Sequence, residues 1–121
     1  MPQESGSVNA HREAVVEMRF VQSDAFECVV DTGFDGALIL PAIVVERLNL
    51  PIVARLVFEV VGGARMSANV ALGEIEWLGQ RRTVEVILSE GDDALIGTEM
   101  FAGAKLLVDY ANRLVTISSD T

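Results

Sequence analysis

The chain has 121 residues, of which 50% are hydrophobic and 22% charged, and its formal net charge at pH 7 is −9. This length allows one domain with a sizeable core, and the composition is typical of a folded protein rather than a disordered one. The acidic balance argues against nucleic acid and anionic membrane surfaces as partners, because both are bound through clustered Lys and Arg.

The first elements predicted along the chain are an arm and a hairpin. Residues 1–10 are polar and contain Gly and Pro, which indicates a flexible N-terminal arm before a single domain at residues 11–121. Residues 12–21 mix β-branched, aromatic and charged side chains, as a strand does. The segment QSDA at residues 22–25 is typical of a turn, and residues 26–31 form the second strand of the hairpin.

The remainder of the chain predicts short strands separated by turns, with two short helices. Pro41 suits the first position of a helix at residues 41–49, and Gly62-Gly63 supports a tight hairpin. Gly73 indicates a bulge. The other expected strands cover residues 37–40, 53–61, 66–77, 82–88, 93–97, 105–110 and 113–117, and the second helix lies near residues 97–103. This pattern predicts a mostly β domain, closed or sandwich-like.

Cysteine and histidine occur once each, as Cys28 and His11. A single cysteine makes no internal disulfide and the two residues give no zinc site, so Cys28 is expected to be a small core residue. Ser-His-Asp and Cys-His catalysis is unexpected too, unless His11 were the base. The start of the chain is neither basic nor apolar, and no apolar run approaches the ~20 residues of a membrane helix. We therefore expect a cytoplasmic protein with no membrane partner, no metal and no other cofactor.

Asp31 stands at the end of an apolar strand, FECVV, and is followed by Thr32 and Gly33. A carboxylate among apolar segments is costly unless it is hydrogen-bonded or has a chemical function. Thr32 offers a hydroxyl, and Gly33 lets the backbone turn closely around a ligand or a second chain. A plain turn between two strands is the alternative, since Asp and Gly are ordinary turn residues. That alternative predicts Asp31 exposed at a loop tip, away from residues 94–97.

A second short motif, ALIG at residues 94–97, favours the chemical interpretation. Together with VVDTG at residues 29–33 and the apolar strand ALIL at residues 37–40, it resembles the retropepsin-like, single-domain aspartic proteases, and DTGF in particular resembles small prokaryotic members. In that family a later apolar-apolar-Gly segment packs beside the Asp-Thr-Gly loop, and a hairpin flap lies between the two motifs. The resemblance covers about residues 12–118. It implies an all-β acid-protease fold, a closed barrel with the two short helices.

The resemblance also implies a role for each residue of the site. Asp31 would be the catalytic carboxylate, supported by the active-site loop residues Thr32 and Gly33, with the Thr32 hydroxyl tying two such loops together across a dimer. The remaining positions would bind substrate or pack beneath the loop. The expected substrate-binding residues are Phe34, Asp35, Gly62 and Gly63, and the expected structural residues are Leu95, Ile96 and Gly97.

The chain carries one Asp-Thr-Gly motif, whereas peptide hydrolysis by this mechanism needs two carboxylates that share one proton. The resemblance therefore implies a homodimer with one Asp31 from each subunit near the two-fold axis. Its activity would be that of an aspartic endopeptidase acting on a peptide or an unstructured protein. Two alternatives stay open: a non-catalytic peptide-binding or dimerisation module on the same fold, and an unrelated β-barrel.

Overall fold

The computed structural model describes residues 2–21, 23 and 25–119. In chain order, the elements within these ranges are β1 (Gln3–Val8), β2 (Ala14–Phe20), β3 (Phe26–Val30), β4 (Leu38–Pro41), α1 (Ala42–Arg47), β5 (Ile52–Glu59), β6 (Arg65–Trp77), β7 (Gln80–Ser89), β8 (Leu95–Ile96), a 3₁₀ turn (Thr98–Phe101), β9 (Ala104–Asp109) and β10 (Leu114–Ser119). The predicted all-β class with a short helix after β4 is confirmed. Residues 22 and 24 of the predicted turn lie outside the described residues, as do residues 1, 120 and 121.

The strands join into one hydrogen-bonded sheet. Its order over the described ranges is β5-β6-β7-β4-β8-β3-β2-β1-β10-β9. Two of these pairings are parallel, β3 with β8 and β4 with β7. A further contact joins β2 to β6, with Arg19 opposite Glu76 and Phe20 opposite Ile75. The closed barrel stays a prediction.

Alternating side chains on β2 show how the sequence builds the core. Val16 and Met18 are buried while Glu17 between them is exposed, as the two-residue period of a strand requires. Trp77 is also buried, and its Nε1 donates a hydrogen bond to the carbonyl oxygen of Met100 at 2.9 Å. This bond fixes the 3₁₀ turn to the end of β6, because a buried indole N–H needs an acceptor. Cys28 is fully buried, which confirms its predicted place in the core.

Pro41 positions the one α-helix of the described residues. It is the last residue of β4, paired with Ser89 of β7, and its φ of −55° leads directly into α1. Val45 is the residue of α1 that is buried in the core. The predicted helix at residues 41–49 is therefore confirmed with a shorter span, because the strand pairing holds Pro41 outside it. No helix in the described ranges is long and apolar enough to span a membrane.

The N-terminal segment is a strand of the sheet, so the predicted flexible arm at residues 1–10 is wrong over Gln3–Val8. β1 lies between β2 and β10, with Gly6 opposite both Val16 and Val115. A side chain at Gly6 would collide with the carbonyl oxygen of Val15. The polar composition concealed the strand, because β1 is held by backbone pairing on both edges rather than by an apolar face.

Glu4 anchors β1 through a buried carboxylate, at 6% exposure. Nη2 of Arg19 donates to its two oxygens at 2.9 and 3.0 Å, and the backbone N–H of Leu78 donates to Oε2 at 2.9 Å. These three bonds satisfy the charge and connect β1 to β2 and to the turn between β6 and β7. Glu4 therefore fixes the N-terminal strand to two separate parts of the sheet.

Gly73 pairs regularly with Val84, so the bulge predicted at this glycine is wrong. The irregularity lies on β5 instead, between Ile52 and Ala54. Gly73 makes room for the ring of Phe20, whose Cδ2 lies 3.2 Å from the place where a Cβ would stand. Gly73 is therefore needed because the Phe20 ring occupies the place of a side chain, and not because the strand changes register there.

Candidate active site

The backbone of β3 continues beside β8 until it reaches Asp31. Val29 and Val30 pair with Leu95 and Ile96 in a parallel ladder. The N–H of Asp31 extends this ladder by donating to the carbonyl oxygen of Ile96 at 2.9 Å. The structure thus brings the two motifs of the sequence together, in contrast to a turn in which Asp31 would lie away from residues 94–97.

The loop after Asp31 interlocks with the segment after β8. The N–H groups of Gly97 and Thr98 donate to the carbonyl oxygens of Ala37 and Phe34, both at 2.8 Å. The N–H of Glu99 donates to the carbonyl oxygen of Gly36 at 3.2 Å. The three bonds hold the two loops against each other and so fix the position from which Asp31 projects.

Gly97 is the contact point between the two loops. A Cβ at this residue would collide with the carbonyl oxygen of Gly36, and it would lie 2.5 Å from Cδ2 and 2.7 Å from the carbonyl oxygen of Phe34. The Phe34 ring also covers Gly36, where an added Cβ would be 2.6 Å from Cζ. The half-buried Phe34 is therefore part of the loop packing. Its predicted contact with substrate stays a prediction.

The carboxylate of Asp31 is oriented by its own loop. Oδ1 accepts a hydrogen bond from the N–H of Gly33 at 2.9 Å, and the carbonyl oxygen of Asp31 accepts one from the N–H of Phe34 at 3.1 Å. Asp31 is half-buried, whereas Thr32 and Gly33 are exposed. One carboxylate oxygen is thus held in place, and the loop presents the group toward the surface.

A shallow cavity of about 400 Å³ opens beside Asp31 and Thr32. Its walls include Leu106 and Val108 of β9, with Arg12 from the turn between β1 and β2. Arg12 has a φ of 64°, in a turn that the side chain of Asn9 holds together through hydrogen bonds from the N–H groups of residues 11 and 13. Arg12 and β9 were missed in the sequence, because neither carries a motif and both reach Asp31 only through the order of the strands.

Gly62 and Gly63 lie at the tip of the hairpin formed by β5 and β6. Their φ angles are 100° and 83°, in the left-handed region that favours glycine. The turn is closed by a hydrogen bond from the N–H of Val60 to the carbonyl oxygen of Ala64 at 2.9 Å. Neither glycine lines the Asp31 cavity, and a Cβ at either would meet no described atom within 4 Å. The hairpin has the form of the expected flap, and its contact with substrate stays a prediction.

Asp35 is exposed and follows Phe34 in the same loop. The predicted site residues therefore form two groups. The structure brings together Asp31, Thr32, Gly33, Phe34 and Asp35 with Leu95, Ile96 and Gly97. It places Gly62 and Gly63 apart from them, on the projecting hairpin.

Solved structures share this architecture. The chain is similar to a retropepsin-like aspartic protease from Rickettsia conorii over 95% of this chain and 89% of that one, with a TM-score of 0.65 and 15% identity. The fold is retropepsin-like. Simian foamy virus (mac) protease matches 73% of the chain and 91% of its own length, with a TM-score of 0.57 and 15% identity. EIAV protease, solved with the inhibitor HBY-793, matches 82% of the chain and 96% of its own, with a TM-score of 0.61 and 17% identity.

Sequence comparison adds one relative. An uncharacterized protein of Archaeoglobus fulgidus is 27% identical over 110 residues, which cover 87% of this chain and 86% of the relative. No family model matches the chain. The assignment of the retropepsin-like fold thus rests on the similarity to solved structures. The activity has to be argued from the residues of the chain itself.

Proposed function

We propose that the protein is an aspartic endopeptidase that hydrolyses peptide bonds as a homodimer. The observation that carries this proposal is the position of Asp31, hydrogen-bonded to β8 through its N–H and oriented by Gly33, within a retropepsin-like fold. Support also comes from the structural neighbours, which are themselves proteases.

In the proposed mechanism the Asp31 carboxyls of the two subunits share one proton, because two like charges in close contact do not both ionise. The ionised Asp31 removes a proton from a water molecule as the water oxygen attacks the carbonyl carbon of the peptide bond. The protonated Asp31 gives its proton to the carbonyl oxygen, which yields a neutral tetrahedral diol. Collapse of this intermediate breaks the C–N bond as the first Asp31 gives its proton to the leaving nitrogen and the second Asp31, now ionised, takes a hydroxyl proton from the diol. The products are a carboxylic acid and an amine, and the two Asp31 carboxyls again share one proton.

The substrate proposed is an extended peptide or an unstructured protein that binds under the hairpin of β5 and β6. One face of this hairpin is apolar and exposed, with Leu56 at 41%, Phe58 at 40% and Met66 at 53% exposure. Phe58 and Met66 are directly opposite each other across the two strands. Covering this face removes apolar surface from water, so we expect a preference for apolar side chains near the cleaved bond.

Asp31→Asn tests the proposal, with Asp92→Asn as the matched control. Both exchanges remove one carboxylate charge, but Asp92 lies on the exposed loop between β7 and β8. Cleavage of a reduced, unfolded protein at mildly acidic pH is measured by mass spectrometry of the fragments. Asp31→Asn should abolish cleavage while its circular dichroism spectrum stays that of the wild type, and Asp92→Asn should cleave normally.

Cleavage by Asp31→Asn at the wild-type rate would contradict the proposal. A dimeric wild type that binds peptides and cleaves none would also contradict it, and would favour the non-catalytic module on the same fold. The cytoplasm is proposed as the compartment, supported by the single cysteine, Cys28, which makes no internal disulfide.

A further inference from the structure

Both terminal strands are enclosed within the chain. β1 pairs with β2 on one edge and with β10 on the other, and β10 pairs with β1 and β9. In the described part of the chain, the strands at the two ends of the sheet order are β5 and β9. An edge strand presents backbone N–H and C=O groups in a row, which is a template for pairing with another chain. A second copy that extends this sheet by strand pairing would therefore pair with either β5 or β9.

β9 is the edge that lies at the candidate active site. Leu106 and Val108 line the same cavity as Asp31, and so does Tyr110 directly after the strand. No described residue of β5 lines this cavity. A copy paired along β9 would thus lie close to the cavity beside Asp31. A copy paired along β5 would join at the opposite end of the sheet order.

The hairpin of β9 and β10 carries large apolar side chains in solvent. Leu107 is 62% exposed, Tyr110 61% and Leu114 56%. Leu107 is in the middle of β9, on the face opposite to that of Leu106 and Val108, because successive side chains of a strand alternate. Exposed apolar groups along an unpaired edge are unfavourable in water and are characteristic of a surface that another chain covers.

We propose that a second copy of this chain pairs its β9 with this β9, antiparallel, about a two-fold axis at Leu107. This inference rests on the proposed function, since the site needs a second Asp31 and the two-fold pairing brings one toward the same cavity. In this register Lys105 of each copy lies opposite Asp109 of the other. Opposite charges at directly facing positions stabilise a strand pair.

The charges on β9 are consistent with that register. Asp109 accepts hydrogen bonds from the backbone N–H of Asn112 at 3.1 Å and from its Nδ2 at 2.8 Å. These bonds lower the pKa of Asp109, so the carboxylate is ionised at neutral pH. Lys105 is the single lysine of the chain. When two β9 strands pair antiparallel about Leu107, the positive charge of Lys105 in each copy therefore faces the negative charge of Asp109 in the other.

Leu107→Glu is the test, with Val57→Glu as the matched control on the other edge strand. The two side chains have similar exposure, at 62% and 59%. Sedimentation velocity across a range of concentrations gives the dissociation constant of the dimer. Leu107→Glu places two carboxylates against each other at the axis, so we expect that constant to rise by about tenfold or more, with no change for Val57→Glu.

A charge exchange tests the register and guards against a folding defect. Lys105→Glu should weaken the dimer, and adding Asp109→Arg to it should restore the wild-type dissociation constant, as judged on variants with unchanged circular dichroism spectra. Failure of this restoration would overturn the Leu107-centred register.

The outcomes for the interface and for the activity are separable. A dimer that Leu107→Glu dissociates but that cleaves no peptide supports the β9 interface and contradicts the proposed function. A cleaving dimer that tolerates Leu107→Glu, or one that Val57→Glu dissociates instead, overturns the interface alone. A wild type that stays monomeric at every concentration overturns the interface, and if that monomer cleaves, it overturns the proposed two-Asp31 mechanism as well.

Discussion

Gly97→Ala should destabilise the protein severely for a purely steric reason. The φ of Gly97 is −100°, which alanine adopts without strain. Its Cβ would nevertheless collide with the carbonyl oxygen of Gly36 and approach Phe34 to 2.5 Å. Both of these partners are in the loop after Asp31, and their carbonyl oxygens already accept hydrogen bonds from the N–H groups of Glu99 and Thr98. The loop can therefore make room for the Cβ only by breaking bonds that hold it.

Overpacking of this kind costs about 1–3 kcal/mol, and each weakened loop hydrogen bond adds about 1 kcal/mol. We expect the free energy of unfolding to fall by about 3 kcal/mol and the melting temperature by about 10 °C. Thermal unfolding followed by circular dichroism measures both. The same displacement moves Asp31, so we expect peptide cleavage to be lost as well.

Gly91→Ala is the control for this change. A Cβ at Gly91 has Oγ of Ser89 as its nearest neighbour, at 3.2 Å, and Gly91 itself is exposed, so this small side chain needs to shift by only a few tenths of an ångström. The melting temperature of Gly91→Ala should stay within about 2 °C of that of the wild type. A Gly97→Ala variant as stable as this control would refute the interlocked arrangement of the two loops.

Two further predictions concern buried groups outside the site. Glu4→Ala should lower the free energy of unfolding by about 2–3 kcal/mol in urea titrations, because it leaves Arg19 and the N–H of Leu78 without their acceptor; an unchanged midpoint would show that β1 contributes little. Burial raises the pKa of Cys28 from 9.0 to about 12. The unfolded chain ionises this thiol above pH 9 and the folded chain does not, so its contribution to stability is full below pH 9.0 and is lost as the pH rises toward about 12. Cys28→Ala should remove that part of the pH dependence, and in the native wild type the thiol should resist alkylation at pH 8.

The strand that leads to Asp31 and the segment beside it could be predicted because their signals are local. Asp31, Thr32 and Gly33 interrupt an apolar run, and the pattern of Leu95, Ile96 and Gly97 is distinctive over a few residues. Pro41 and the pair Gly62-Gly63 likewise act on their own neighbourhood, through a fixed φ and through positive φ angles. These elements were placed correctly along the chain, although the sequence did not place the hairpin tip in space.

The N-terminal strand and the edge at β9 could not be predicted because their signals are not local. The burial of Glu4 depends on Arg19 and Leu78, which come from distant positions in the chain. β1 is polar in composition because its two edges, rather than an apolar face, hold it in the sheet. Likewise, the proximity of Arg12 and β9 to Asp31 follows from the strand order, and no short pattern of residues encodes it.

Mixing of subunits tests most directly whether two copies of Asp31 form one catalytic site. Wild-type protein is combined with increasing amounts of Asp31→Asn, with time for exchange, and cleavage is measured per wild-type subunit. If every active dimer needs both carboxylates, equimolar mixing leaves about half of the wild-type subunits in active pairs, and excess variant abolishes cleavage. Cleavage per wild-type subunit that stays constant at every ratio, with exchange demonstrated, would contradict the shared site.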